Sequence, residues 1–121
     1  MATQTLTRNT LGASTLIGDK VRNSAREDLG KIEELMIDLS SGRVAYAVLS
    51  FGGFLGMGNK LFAVPFRAMT IDGADHAFIL DVPKDRLKQA PGFDKDHWPD
   101  ASDLGYRNQI YTFYNVKPDW E

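Results

Sequence analysis

The sequence contains no cysteine and only two histidines among its 121 residues. The missing thiols exclude disulfides, thiolate nucleophiles and cysteine-ligated metal sites. No run of about 18 apolar residues occurs, so no segment has the composition of a membrane-spanning helix. The first residues also lack the continuous apolar core of a signal peptide. We therefore predict a soluble cytoplasmic protein without a transmembrane segment, which would reach the inner membrane only through a partner.

Neither sign of charge dominates, since 14 basic and 16 acidic side chains give a net charge of -2. A nucleic-acid-binding protein must neutralise several phosphates, so we expect neither DNA nor RNA as a partner. Three aspartates, Asp94, Asp96 and Asp100, have the 1, 3, 7 spacing of an EF-hand loop, but Pro99 stands where that loop requires glycine. We expect no bound metal and no cofactor.

Short apolar runs separated by turn residues predict a mainly β protein, a small antiparallel barrel of about six strands. The predicted strands are 19–23, 30–39, 43–51, 60–64, 69–71 and 76–81. Gly30 follows a turn at the start of the second strand, and Gly42 occupies a tight turn that needs a positive φ. Pro65 ends the fourth strand because proline cannot donate to a ladder.

The third predicted strand is apolar on both faces. One face carries Val44, Tyr46 and Val48, and the other carries Ala45, Ala47, Leu49 and Phe51. A half-solvated antiparallel strand alternates polar with apolar residues, so the outer face of this strand needs a cover. The C-terminal segment or a second subunit could supply it, and the surplus of apolar surface leads us to expect a homodimer.

The chain divides into a flexible arm at 1–14, a barrel at 15–83 and a helical, aromatic-rich extension at 84–121 packed on the barrel. Predicted helices cover 84–90 and 103–113. In the second helix Tyr106, Ile110 and Phe113 share one face, and with Trp98 they are expected to cover the third strand. Tyr106 and Ile110 are also candidate partner-binding residues.

A glycine-rich segment between the third and fourth strands combines Gly52, Gly53, Gly56 and Gly58 with the large apolar residues Phe54, Leu55 and Met57. Exposed apolar side chains favour docking, so these three residues are candidate contacts to a partner or a second subunit. The equal alternative is that they plug the barrel end. A phosphate cradle is disfavoured because a strand, not a helix, follows Lys60.

Several segments resemble the PRC-barrel family, which includes the cytoplasmic barrel of the photosynthetic reaction centre H subunit. They are LIGDKV at 16–21, LGKIEELMID at 29–38, RVAYAVL at 43–49, GGFLG at 52–56 and VPF at 64–66. The resemblance implies a small barrel that serves as an adaptor, and the tail is similar to that of stand-alone bacterial members. The chain lacks the H subunit's transmembrane helix and the second barrel of the family's ribosome-maturation factor, so neither specific role carries over.

No catalytic constellation is present, and we assign no catalytic residue. Neighbouring carboxylates such as Glu33 and Glu34 point to opposite faces of a strand and cannot act together as acid and base. We therefore expect a non-enzymatic protein-binding adaptor with an unknown protein partner, in the setting of a membrane or electron-transfer complex. The alternative is a small-molecule carrier or an uncharacterised enzyme that takes a quinone-like ligand into the barrel mouth.

Overall fold

The computed structural model describes residues 11–54, 58–72, 77–94, 98–99 and 104–117. Its strands are β1 (Lys20–Arg22), β2 (Asp28–Asp38), β3 (Arg43–Phe54), β4 (Gly58–Val64), β5 (Met69–Asp72), β6 (Ala77–Leu80) and β7 (Gly92–Phe93). Its helices are α1 (Ala13–Leu16), α2 (Lys84–Leu87) and α3 (Leu104–Phe113), with a 3-10 turn at Phe66–Ala68.

The seven strands form one sheet in the order β5-β6-β1-β2-β3-β4-β7, which confirms a mainly β fold. The predicted count of six strands is wrong, because β7 pairs with β4 through only two residues, too few to show a strand pattern in sequence. The sheet is also not wholly antiparallel, since β1 and β6 run parallel. Within the described residues, β5 and β7 are the two edges and do not pair to close a barrel.

The long hairpin of β2 and β3 contains a bulge that changes the predicted faces of β3. Tyr46 pairs with Met36 and Val44 pairs with Ile37, so Ala45 has no paired residue in β2. As a result Val44 packs with the cluster that contains Leu49, and Ala45 packs with the cluster that contains Tyr46. The sequence pattern had assigned these two residues to the opposite faces, because an extra residue in one strand is invisible to strict alternation.

The inner face of the sheet encloses a packed apolar core. Its largest fully buried members are Leu29, Ile32, Leu49, Phe62, Phe78 and Leu80. Leu87 of α2 is also fully buried there and closes one side of the core. Side chains therefore fill the interior of the curled sheet.

The glycine-rich segment is mostly strand. β3 continues through Gly52 and Gly53 to Phe54, and β4 begins at Gly58, which pairs with Phe54. Leu55, Gly56 and Met57 lie outside the described residues. β4 ends at Val64, and Pro65 follows it in a buried position.

Three described glycines have backbone conformations that other residues rarely adopt, and two of them lie in the β2–β3 hairpin. Gly30 has a φ of 104° and Gly42 a φ of 74°. At Gly30 an added Cβ would overlap the carbonyl oxygen of Ser50, so β2 and β3 approach more closely there than a side chain permits. Gly42 turns the β2–β3 hairpin with open space around it.

Helical structure begins within the N-terminal arm that was predicted at 1–14. Helix α1 starts at Ala13, and Leu16 at its end is buried against the core. Residues 1–10 lie outside the description. Among the described helices, none is both long and apolar enough to cross a membrane.

Candidate functional site

Helix α3 covers the part of the outer face of the sheet that β3 and β4 form around Tyr46 and Leu61. A second apolar cluster joins Ile110 and Tyr111 to Tyr46 and Val48 of β3, with Leu61 and Ala63 of β4 also in it. The Tyr46 and Tyr106 rings meet edge to face, with centroids 6.2 Å apart. The second apolar face of β3 is therefore buried within the same chain.

Polar contacts from β2 and β3 help to hold α3 in place. The Tyr111 hydroxyl donates to the Ala45 carbonyl oxygen at 2.7 Å. Arg107 Nη2 lies 3.3 Å from Asp38 Oδ2 at the end of β2. The pKa of Asp38 is lowered to about 2, first because Ser40 donates hydrogen bonds from its hydroxyl and its backbone N–H, and then because of Arg107.

The candidate partner-binding residues have different outcomes. Ile110 has 0% exposure, so its assignment to a partner surface is corrected to a place in the chain's own core. Tyr106 is half-buried against Tyr46, and burial raises the pKa of its hydroxyl. Phe54 lies in β3, while Leu55 and Met57 fall outside the described residues.

Another part of the outer face, on β1, β2 and the neighbouring end of β3, holds a groove that the sequence did not reveal. One row across β1, β2, β3 and β4 consists of Lys20, Lys31, Ser50 and Leu61, each opposite the next. Leu61 lies under α3, whereas Lys20, Lys31 and Ser50 line an open cavity of about 540 Å³. The groove therefore begins on the sheet where the helix cover stops.

The groove is strongly basic. Its lining includes Lys20, Arg22, Arg26 and Lys31 and one acidic residue, Asp28. Arg22 is ion-paired with Asp72 at 2.7 Å. For Lys20, Arg26 and Lys31 the described part of the chain supplies no ion-paired carboxylate. Asp28 Oδ1 accepts a hydrogen bond from the Gly30 N–H at 2.9 Å, and its carboxylate offsets one of the four positive charges of the lining.

The turn that carries Arg26 is fixed by a hydrogen-bond network. Asn23, which is buried, donates to Glu27 Oε1 at 2.8 Å and to the Val82 carbonyl at 3.1 Å. Glu27 Oε1 also accepts from the Lys84 N–H at the start of α2. Both hydrogen bonds to Glu27 lower the pKa of its carboxyl group, and the bond from Asn23 has the larger effect. Arg26 therefore projects from a fixed turn.

The chemistry available in the groove is electrostatic binding of an anion. The described part of its lining has one hydroxyl, that of Ser50, and no histidine to activate it. His76 and His97 lie outside the described residues. Across the residues that are described, no three side chains of histidine, aspartate or glutamate are grouped to hold a metal ion. A sequence signal for the groove existed in the alternation of Lys20, Val21 and Arg22, which is typical of a strand with one basic face.

A comparison with protein-family models matches residues 8–87 to the PRC-barrel domain. No curated protein sequence matches the chain. Among solved structures, one similar to this chain is RimM of Pseudomonas aeruginosa, described as a 16S ribosomal RNA processing protein, with 21% sequence identity and a TM-score of 0.43. The match covers 66% of this chain and 48% of RimM, so the chain spans about half the length of that protein.

Proposed function

The chain belongs to the PRC-barrel domain family, and we propose that it acts as a non-catalytic adaptor module that binds another protein. The observation that supports this proposal is the division of the outer face of the sheet. Helix α3 seals one part with apolar contacts, and another part is an open groove of about 540 Å³ without catalytic groups in its described lining. A fixed, open and charged surface suits recognition of a partner.

The alternative, a quinone-like ligand in the barrel mouth, has less support. Such a site needs a pocket that encloses most of the ligand and is lined by apolar side chains. Here Phe62, Phe78 and Leu49 are among the side chains that fill the interior. The groove is basic and open to one side, which does not suit an apolar ring.

A homodimer is a separate proposal, and the structure changes the apolar surface on which it depends. The doubly apolar strand β3 and the glycine-rich apolar segment were the reasons to expect a second subunit, and α3 covers the outer face of β3 within the chain. Several large apolar side chains of the described residues remain exposed, most of all at the end of the β2–β3 hairpin, where Ile37 is 46% and Leu39 92% exposed. Sedimentation as a monomer at tens of micromolar would refute this proposal.

A cytoplasmic location and association with a membrane or electron-transfer complex are likewise proposals, supported by the family resemblance alone.

Affinity capture tests the adaptor function. The full chain carrying a tag would be expressed in the cells it comes from, cross-linked and recovered after nuclease treatment, with the tag alone as the control. We expect one protein to be enriched in near-stoichiometric amount over the tag. Recovery of the chain with no enriched protein, or with a bound small molecule in native mass spectrometry, would contradict the proposal.

A further inference from the structure

We propose that the basic groove binds an acidic, extended segment of the partner protein through Lys20, Arg26 and Lys31. This inference rests on the proposed function, since it names the chemistry of the partner. Four features of the groove support it: the opposition of two lysines, the backbone of Arg26, the excess of basic side chains in the lining, and the kind of side chains found there.

Lys20 and Lys31 stand directly opposite each other in the antiparallel pair of β1 and β2. Directly opposed residues have Cβ atoms about 4.5 to 5.5 Å apart, and like charges at that distance destabilise a sheet. Both side chains are exposed, so neither contributes to the core. A carboxylate bound between the two ammonium groups would convert this repulsion into two charge-assisted contacts.

Arg26 also occupies a position that folding alone does not favour. Its φ is 66°, in the left-handed region where glycine or asparagine is the usual residue. The backbone N–H donates to the Asn23 carbonyl at 3.0 Å, so the turn itself does not need the guanidinium. Residues that break local rules without a structural gain are expected at functional sites.

Two arginines of the described chain are held by carboxylates, whereas Lys20, Arg26 and Lys31 are not. Arg107 contacts Asp38, and Arg22 contacts Asp72. Among the described residues no carboxylate forms an ion pair with Lys20, Arg26 or Lys31, although the whole chain carries a net charge of -2. Four basic side chains and one carboxylate, that of Asp28, thus line the described groove, which leaves it with an excess of positive charge.

The lining favours a polypeptide over a nucleic acid. Single-stranded nucleic acids stack their bases on aromatic side chains, and no aromatic residue is found in the described lining. An extended segment with carboxylates at every second residue presents them on one side, roughly 6.5 to 7 Å apart, and offers separate carboxylates to the Lys20–Lys31 pair and to Arg26. Arg22, which lies on the same face of β1 as Lys20, already pairs with Asp72 and adds only its positive charge.

Fluorescence anisotropy with a labelled ten-residue peptide of alternating Glu and Ser tests the inference, with the Gln and Ser peptide as its control. The variants are Lys20→Gln with Lys31→Gln in the groove, and Arg67→Gln with Lys88→Gln at exposed positions outside it. Both double variants lose two positive charges. We expect the groove variant to bind the Glu peptide about tenfold more weakly than the control variant, with affinity that falls as salt rises.

Thermal unfolding of the same variants provides a second readout. Relief of the lysine pair should raise the melting temperature of the groove variant by about 1 to 4 °C, so its loss of binding cannot come from unfolding. A lower melting temperature would show that the two lysines serve the fold and would overturn the inference. So would equal binding of the Glu and Gln peptides, equal binding by the two double variants, tighter binding of a ten-nucleotide RNA, or full competition by millimolar inorganic phosphate.

The two proposals fail in different ways. If the Glu peptide does not bind but capture from cells still yields a stoichiometric protein partner, the groove assignment is wrong and the adaptor function stands. If the peptide binds in the groove and no protein is captured, the adaptor function is contradicted while the anion site stands.

Discussion

The hydroxyl of Tyr111 in α3 donates a 2.7 Å hydrogen bond to the carbonyl oxygen of Ala45, the residue that the bulge in β3 leaves without a paired residue in β2. The contact joins positions 66 residues apart and is buried. Without this hydrogen bond, the Ala45 carbonyl oxygen would face an apolar cluster unpaired. The bulge in β3 therefore determines where α3 docks.

Removal of this hydroxyl is the first prediction. Tyr111→Phe should lower the free energy of unfolding by about 1 to 3 kcal/mol, because a buried acceptor loses its donor. Tyr114→Phe is the matched control, since the Tyr114 hydroxyl has no hydrogen-bond partner among the described residues. That variant should be unchanged or more stable. Urea unfolding of both checks the prediction, and equal effects would contradict it.

The close approach of β2 and β3 gives the second prediction. Gly30→Ala should cost about 3 kcal/mol or more, because the new Cβ meets the Ser50 carbonyl in a backbone conformation already unfavourable for alanine. Gly42→Ala has open space and only the conformational penalty, about 1 to 2 kcal/mol. Thermal unfolding should rank Gly30→Ala well below Gly42→Ala. The reverse order would show that β2 and β3 are not in close contact at Gly30.

The third prediction is a dependence of stability on acid through Asp38. Its pKa in the folded protein is about 2, below the ordinary value of 3.8, so the ionised carboxylate is favoured by folding. Its contribution is complete above about pH 4 and is lost as the pH falls through about 2. Asp38→Asn should be less stable than the natural protein at pH 6, and the difference between their melting temperatures should shrink below pH 4. A constant difference would contradict the assignment.

The fourth prediction concerns the docking of α3. Deletion of residues 93–121 should uncover Tyr46, Val48 and Leu61, and burial of each such side chain is worth about 1.5 to 3 kcal/mol. The shortened chain should aggregate or melt at a lower temperature, as light scattering and circular dichroism would show. A soluble product with an unchanged melting temperature would mean that the extension is independent of the sheet.

Point variants in α3 separate docking from the loss of chain length. Ile110→Ala removes a fully buried side chain and should cost about 2 to 5 kcal/mol. Gln109→Ala lies next to it on the exposed side and should have little effect. Similar effects of both variants would argue against the docked position.

Much of the fold could be predicted because turns and apolar periodicity are local signals. The strand expected at 60–64 is Gly58–Val64 in the structure, and Pro65 marks its end as its missing N–H requires. The spacing of Tyr106 and Ile110 indicates a helix, and the structure has one at Leu104–Phe113. The bulge at Ala45 and the two-residue strand β7 leave no such pattern, because each depends on contacts with distant parts of the chain.

The groove escaped prediction for a related reason. Lys20 and Lys31 become neighbours only through the register of β1 with β2, and that register shifts between Val21 and Arg22. Composition also concealed the groove, since a net charge of -2 suggested no basic surface. The apolar residues of the glycine-rich segment were the more conspicuous candidates, yet Leu55 and Met57 lie outside the described residues and Phe54 is part of β3.

The most direct test of the groove as a binding surface is an NMR titration of the full-length, ¹⁵N-labelled protein with the peptide of alternating Glu and Ser. The account predicts shifts in the amide signals of Gly30, Lys31, Ser50 and Gly52, which line the groove, and unchanged signals for Ile110 and Tyr111 in α3. Shifts confined to α3 or to the β2–β3 turn, or no shifts at all, would contradict it.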